Sequence, residues 1–237
     1  MLPISIPVVL SQNTQDFPSP KLALKEPNGL LAIGGTLSMP QVIKAYECGV
    51  FPWFNEGDPI MWWSPSPRTL LYPSQFKLSR SLKQTLKKDI TITVDCQFEQ
   101  VIHYCSQLRK EDTWITNQMI EAYVQLHENG LAHSIEVWHE KKLIGGLYGL
   151  CFGHAFFGES MFHIKPNASK IALYALCHLP LPFTFDFIDC QLPSKHLHSL
   201  GAVDCTRATY LTLLKKTLLN KTEVGQWLVT PVIASSI

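Results

Sequence analysis

The sequence predicts a mixed α+β fold in which helices pack on a central, mainly antiparallel sheet. Two observations carry this prediction. Apolar residues alternate or run continuously in three closely spaced stretches, which indicates an antiparallel meander of strands at 134–139, 143–153 and 155–162. Residues 167–179 and 207–219 then have the apolar spacing of helices and flank a strand at 185–192.

A small domain is expected at the N-terminus, over residues 1–65, followed by a larger one over 66–237. Residues 1–65 are rich in Pro and Gly and predict one helix, with Ser38 and Gln41 as a capping box and Gly49 after its end. The prolines around residues 61–68 disfavour a helix and suggest an extended linker.

The pattern changes after residue 70. A helix is predicted over 77–88 and a strand over 90–94. Two further helices are expected, one capped by Asp95 and one capped by Thr116 or its neighbour Asn117.

Composition excludes several classes of protein. The 237 residues are 46% hydrophobic and 16% charged, against a typical ~25% charged, so a folded core is expected rather than disorder. A net charge of +1 excludes a histone-like excess of positive charge. Seven irregularly spaced Cys without a C-x-x-C pair indicate free thiols in a reducing compartment. We expect a cytoplasmic protein, because the N-terminus is a poor signal peptide and no apolar run spans a bilayer.

Two polar groups stand out within the predicted strands. Asp189 and Gln191 are two residues apart, so a regular strand would direct them to the same side, where the carboxylate could orient the amide. They could equally satisfy backbone groups at a strand end. Glu159 lies in a mainly apolar strand on the same side as Met161, and needs a partner or a ligand amine if buried. It could instead be solvated or bridged to a Lys.

Aromatic and basic clusters are the other candidates. Tryptophans in proline-bounded loops could stack a nucleobase or simply pack between two halves of the chain. On the 77–88 helix, basic residues gather opposite the leucines, at Arg80, Lys83, Lys87 and Lys88. Such a face suits phosphate contacts or is merely solvated.

The order meander, helix, strand, helix resembles the N-acyltransferase core of the acetyltransferase superfamily, a GNAT-type fold. Members that use acetyl-CoA cradle its pyrophosphate on a Gly-rich loop before the next helix. Here residues 163–170 contain no Gly, so a CoA thioester is not the expected donor. The sequence also lacks G-x-G-x-x-G, P-loop and G-x-S-x-G motifs. We expect neither a metal nor a cofactor.

Seven collinear motifs resemble the leucyl/phenylalanyl-tRNA–protein transferase family. They have the sequences FPSP, EPNGLLA, GVFPWF, WWSP, GESMF, DCQ and HLHSLGA, at residues 17–20, 26–32, 49–54, 62–65, 158–162, 189–191 and 196–202. The resemblance implies transfer of Leu or Phe, and Met less well, from aminoacyl-tRNA to a protein beginning with Arg or Lys. The product would enter the bacterial N-end rule degradation route.

The resemblance also assigns residues. Asp189 and Gln191 match the catalytic pair, and whether Asp189 accepts the proton itself or only orients Gln191 is left open. The pocket for the donor's side chain and α-amine is matched by Leu147, Phe156, Glu159 and Met161. Its aromatic walls are matched by Trp53 and Trp114. Arg80, Lys83, Lys87 and Lys88 lie in the region that binds the tRNA acceptor stem. The basic spacing differs from the family's, and Leu147 replaces a Met. We expect a monomer that does not bind membranes.

Two alternatives remain open at this point. A CoA-dependent N-acetyltransferase would bind CoA and be protected by it on heating. A non-catalytic RNA-binding module would leave Asp189 and Gln191 without a chemical role.

Overall fold

A computed structural model describes residues 6–13, 16–108, 114–181, 183–227 and 229–237. Its strands form two sheets. The smaller sheet has the strand order β1-β2-β4-β3, with β1 parallel to β2 and the other pairs antiparallel. Its strands are β1 (Val8–Leu10), β2 (Leu30–Gly34), β3 (Phe51–Pro52) and β4 (Met61–Trp63), and the helix α1 (Met39–Glu47) joins β2 to β3.

The larger sheet contains the predicted meander. Within the described residues its order is β11-β5-β10-β9-β8-β7-β6-β12, and only the β9–β10 pair is parallel. The strands are β5 (Arg68–Leu71), β6 (Thr91–Val94), β7 (Ala132–His139), β8 (Lys142–Phe152), β9 (Ala155–His163), β10 (Phe187–Gln191), β11 (Val203–Cys205) and β12 (Val232–Ile233). The mixed α+β class with a mainly antiparallel sheet is therefore confirmed.

Helices cover both faces of the larger sheet. They are α2 (Arg80–Leu86), α3 (Phe98–Gln107), α4 (Asn117–Glu128), α5 (Ala168–His178), α6 (Lys195–Ser199) and α7 (Arg207–Thr217). Successive strand residues point to opposite faces. Leu147 therefore packs in the core with α2 and α5, while Tyr148 packs in the core with α3 and α4. The second of these cores continues into α1 and the smaller sheet.

Local predictions at helix starts succeed or fail for identifiable reasons. The Thr116 hydroxyl caps α4 by accepting from the Met119 backbone N–H. The capping box at Ser38 is wrong, because the Gln41 side chain accepts from the backbone N–H of Thr36 instead. The Asp95 cap is also wrong. Its carboxylate accepts from the Ser134 backbone N–H at 2.9 Å.

Only part of the linker expected around residues 61–68 is an extended loop. Met61–Trp63 is a paired strand, and the Trp62 indole is fully buried with its Nε1 donating to the Gly34 carbonyl. The chain passes from one sheet to the other between Trp63 and Arg68. The division into residues 1–65 and 66–237 stays a prediction, because one apolar core runs through both parts.

We predict that Gly149→Ala destabilises the protein while Gly158→Ala does not. The two glycines face each other across β8 and β9. A Cβ on Gly149 would lie 2.1 Å from the Phe157 carbonyl oxygen, whereas the nearest atom to a Cβ on Gly158 is 3.7 Å away. Such overpacking costs about 1–3 kcal/mol. Thermal unfolding measures the difference, and equal melting temperatures for the two variants would contradict it.

Candidate active site where two cavities meet

An apolar cavity of about 390 Å³ opens beside the parallel β9–β10 pair. Leu147 and Met161 face each other across β8 and β9 and form part of its wall. Aliphatic and aromatic side chains supply most of the remaining lining, including Phe156, Leu173, Leu176 and Ile188. The cavity is therefore suited to an uncharged hydrocarbon side chain.

A second cavity, of about 500 Å³, contains the predicted tryptophans. Trp53 and Trp114 line it together with Phe51, and Trp53 is held in place by Trp63, whose Nε1 donates to the Trp53 carbonyl at 2.7 Å. The two tryptophans line this second cavity, called here the tryptophan cavity, and not the apolar one. Their role as aromatic walls of the donor pocket stays a prediction.

Three residues line both cavities and so mark their junction: Glu159, Gln191 and Leu192. The strands β9 and β10 carry Glu159 and Gln191 to this point. Two of the candidate residues from the sequence therefore meet where the cavities meet.

Asp189 is fully buried and lines neither cavity. Its carboxylate forms a bidentate ion pair with Arg68, with Arg68 Nε 2.8 Å from Oδ1 and Nη2 2.7 Å from Oδ2. The Tyr210 hydroxyl donates to Oδ2 at 2.7 Å, and the Gln191 backbone N–H donates to Oδ1 at 2.9 Å. Burial alone would lower the pKa of Arg68, but the adjacent Asp189 carboxylate raises it above the usual range.

Asp189 and Gln191 do not interact as the sequence predicted. The register of β10 against β5 shifts between these two residues, and Gln191 has φ +62°. The same-side rule for i and i+2 fails at such an irregularity. Asp189 consequently holds the backbone of Gln191, while the side-chain Nε2 of Gln191 donates to Glu159 Oε1 at 2.9 Å.

Glu159 is buried within a hydrogen-bonded cluster. It is the extra residue of a bulge in β9, because Tyr148 pairs with Ser160 and Gly149 with Gly158. The Tyr123 hydroxyl donates to Oε2 at 3.0 Å, and the Tyr46 and Tyr123 hydroxyl oxygens are 2.6 Å apart. Burial raises the pKa of Glu159 to about 7, although the hydroxyls of both tyrosines lower it. The solvated and lysine-bridged alternatives for Glu159 are therefore wrong.

The basic residues lie outside both cavities. Arg80, Lys83, Lys87 and Lys88 are exposed on or just after α2, while Leu82 and Leu86 are buried beneath them. The Asn167 side chain, at the start of α5, donates to Ser81 Oγ at 3.2 Å and to Thr85 Oγ1 at 3.0 Å. These bonds hold α2 against α5, which also lines the apolar cavity through Leu173.

The described residues give little support for a metal site, for thiol chemistry or for a membrane-spanning helix. Within them, no group of three or more His, Cys, Asp or Glu is arranged to hold a metal ion. The cysteines are thiols rather than disulfides, and burial raises the pKa of Cys190, which lines the apolar cavity. None of the described helices combines the length and apolarity needed to cross a bilayer.

Sequence patterns did not identify four residues that surround Asp189 and Glu159: Arg68, Tyr210, Tyr46 and Tyr123. Arg68 follows the proline-rich segment at the start of β5, and an Arg at the start of a strand carries no distinctive signal. The tyrosines occupy apolar positions of α7, α1 and α4, where periodicity marks them only as core.

These features define a mixed α+β protein whose site joins two cavities and contains a buried carboxylate and an amide. Residues 70–215 match the family of leucyl/phenylalanyl-tRNA protein transferases, and residues 35–66 match the N-terminal domain of these transferases. The chain belongs to this family of aminoacyltransferases.

Individual relatives cover nearly the whole chain. A leucyl/phenylalanyl-tRNA–protein transferase of Legionella pneumophila (strain Corby) is 53% identical over 89% of this chain and 95% of its own. Those of Hydrogenovibrio crunogenus and Shewanella piezotolerans are 48% and 47% identical, over 90% and 94% of this chain and 85% and 96% of theirs. A solved domain of a lysylphosphatidylglycerol synthetase from Agrobacterium fabrum, described as putative, aligns over 83% of this chain and 66% of its own, with 10% identity and a TM-score of 0.37.

We predict that Arg68→Met and Asp189→Leu each lower the free energy of unfolding by about 3–5 kcal/mol, because either change leaves a buried charge unpaired. The double variant should lose less than the sum of the two. Urea unfolding measures all three. Removing the exposed Lys221–Glu223 pair with Glu223→Gln serves as control and should cost under about 1 kcal/mol. Additive losses at Arg68 and Asp189 would contradict the coupling.

Proposed function

We propose that this chain transfers Leu or Phe, and Met less efficiently, from aminoacyl-tRNA to the N-terminal amine of a protein that begins with Arg or Lys. The observation that carries the proposal is the junction of an apolar and a tryptophan-lined cavity at Glu159 and Gln191. We further propose that the protein is a cytoplasmic monomer and that its product enters N-end rule degradation.

The apolar cavity is suited to the side chain of the donor amino acid. Leu147, Phe156 and Met161 offer hydrocarbon and thioether contacts, and an unbranched Met adapts to either a branched or an aromatic side chain. A charged side chain would lose its hydration there without a partner.

The tryptophan cavity is suited to the 3′-terminal base of the tRNA. Trp53 is 39% exposed, so its ring is accessible to a base, and Trp114 is half-buried in the same cavity. Stacking of a base on an aromatic side chain is worth ~1–3 kcal/mol. With the base there and the donor side chain in the apolar cavity, the ester that joins them would lie near Gln191.

The chemistry needs positioning more than a nucleophile. An aminoacyl ester is already activated, and an α-amine has a reference pKa of ~8, so a neutral fraction exists near pH 7. Correct orientation of two reactants can supply several kcal/mol of the barrier reduction. We assign Gln191 to contact the reacting groups. Asp189 we assign as a positioning residue that acts on Gln191 through its backbone N–H.

The exposed cations of α2 are suited to the phosphates of the acceptor stem. Arg80, Lys83, Lys87 and Lys88 form one basic surface, and α2 is joined through Asn167 to α5 beside the apolar cavity. A strand of tRNA that follows this surface would lead toward the cavities. Because the chain as a whole is nearly neutral, electrostatic binding of tRNA would depend on a local basic surface of this kind.

One assay tests the proposed function against the two alternatives. Leu-tRNA is incubated with an Arg-initiated peptide, and the product is analysed for a Leu-Arg bond. Formation of that bond supports the proposal. Acetylation of the peptide from acetyl-CoA would instead favour an acetyltransferase, and tRNA binding without either product would favour an RNA-binding module.

We predict that Met161→Asp abolishes Leu transfer, because its carboxylate would be buried beside an apolar side chain without a partner. Met161→Leu is the control and should retain transfer, since it keeps an apolar group of similar volume. Single-turnover rates with Leu-tRNA measure both. Undiminished transfer by a folded Met161→Asp protein would contradict the placement of the donor side chain in the apolar cavity.

We predict that Lys83→Ala combined with Lys87→Ala raises KM for charged tRNA and flattens its salt dependence. Each lost phosphate contact should reduce the slope of log affinity against log salt by about one. The matched control is Lys215→Ala with Lys216→Ala, which removes two exposed cations from α7. Equal effects from the two double variants would mean that the cations of α2 act only through the net charge of the protein and make no specific phosphate contacts.

A further inference from the structure

The junction of the two cavities contains one carboxylate whose role differs from that of Asp189. Glu159 lines both cavities, together with Gln191 and Leu192, and of these three only Glu159 can titrate. It is also 93% buried, which means that its surroundings rather than bulk water control its protonation. A proton released at the junction therefore has a nearby acceptor in this side chain.

Asp189 has no free position at which to accept a proton. A carboxylate offers about four acceptor positions. At Asp189 all four are occupied, by Arg68 Nε and the Gln191 backbone N–H on Oδ1, and by Arg68 Nη2 and the Tyr210 hydroxyl on Oδ2. Protonating this carboxylate would also leave the buried Arg68 guanidinium without its counter-charge.

Glu159 retains acceptor capacity. Its donors are the side-chain amide of Gln191 on Oε1 and the hydroxyl of Tyr123 on Oε2. Two donors against four positions leave room for a substrate N–H. The two side chains come from β10 and α4, and the Tyr46 hydroxyl of α1 lies 2.6 Å from that of Tyr123, so the carboxylate is held from more than one direction.

We propose that Glu159 is the proton acceptor of the transfer reaction, an inference that rests on the proposed function. The neutral acceptor amine attacks the ester carbonyl carbon, a C–N bond forms, and the electron pair of the C=O π bond moves to the oxygen. The nitrogen of the tetrahedral intermediate then carries an extra proton, which passes to the Glu159 carboxylate. As the C=O bond re-forms and the C–O bond to the terminal ribose breaks, the Glu159 carboxylic acid gives that proton to the ribose oxygen. The products are an amide and a free ribose hydroxyl, and Glu159 is again a carboxylate.

The electrostatic surroundings of Glu159 suit this role. A general base works best when its pKa lies near the operating pH. Burial and, to a lesser extent, the neighbouring Asp189 charge raise the pKa of Glu159, while the hydroxyls of Tyr46 and Tyr123 and the Gln191 amide lower it, and the resulting pKa is about 7. The carboxylate should be protonated, and inactive as a base, as the pH falls below 7.

The first experiment compares Glu159→Gln with wild type in Leu transfer from Leu-tRNA to an Arg-initiated peptide across pH. Loss of general-base catalysis should lower kcat by roughly 10²–10⁴-fold. The part of the rise of kcat/KM with pH that reflects Glu159, near pH 7, should also disappear, which leaves only the rise caused by deprotonation of the acceptor amine, whose reference pKa is ~8. Gln keeps the size and the acceptor oxygen of Glu, and circular dichroism checks that the variant is folded. An unchanged kcat with the pH dependence of wild type would overturn the proposal.

A second donor separates proton acceptance from simple binding of the donor α-ammonium group. Phenyllactyl-tRNA, which has a hydroxyl in place of that amine, gives Glu159 nothing cationic to bind on the donor. If Glu159 accepts the proton, Glu159→Gln should still transfer more slowly than wild type from this donor. Equal rates would assign Glu159 to binding the donor amine and overturn the proposal.

A third variant tests the proton acceptor without changing it. Tyr123→Phe removes a hydrogen bond that lowers the pKa of Glu159, so the acid limb of kcat/KM should move to higher pH. Tyr104→Phe is the control, since Tyr104 stacks on Phe162 and lies outside the Glu159 cluster. A limb that stays in place in Tyr123→Phe would argue against Glu159 as the titrating group. A wild-type protein that forms no Leu-Arg bond would refute the proposed function itself, which is a different outcome.

Discussion

The buried Arg68–Asp189 ion pair joins the parts of the protein that build the site. The Arg68 guanidinium lies between the rings of Phe51 and Tyr210, 4.8 and 4.4 Å from their centroids. It therefore contacts β3 of the smaller sheet and α7 while remaining on β5 of the larger one. Removing two charges from water is costly unless the geometry is close to ideal, and here the fork of Arg68 meets both oxygens of Asp189. The position of Gln191 depends on this pair, because Asp189 also holds its backbone.

Two carboxylates on adjacent strands have different partners. Asp189 pairs with a guanidinium, whereas Glu159 faces two tyrosines and an amide at the edge of the cavities. Their environments differ although β9 and β10 are paired. The difference arises from two local irregularities, the bulge at Glu159 and the register shift after Asp189. Regular strands would have directed these side chains elsewhere.

Sequence patterns predicted the strands and helices well because apolar periodicity reflects which face is buried. The meander, the amphipathic 77–88 helix and the Thr116 cap all follow from local rules. The relation between Asp189 and Gln191 was not predictable in this way, since the i, i+2 rule assumes a regular strand. The pairing of Arg68 with Asp189 could not be predicted either, because the two residues are 121 positions apart and no local pattern connects them. Prediction was therefore good for elements and poor for the contacts between them.

The C-terminal segment closes an edge of the larger sheet. Past the residues that match the family, Trp227 stacks on His133 with the ring centroids 3.8 Å apart, and β12 pairs with β6. An uncovered edge strand offers unpaired backbone groups to other chains. On the ribosome, β6 is made long before β12, so this edge stays open until synthesis passes residue 233.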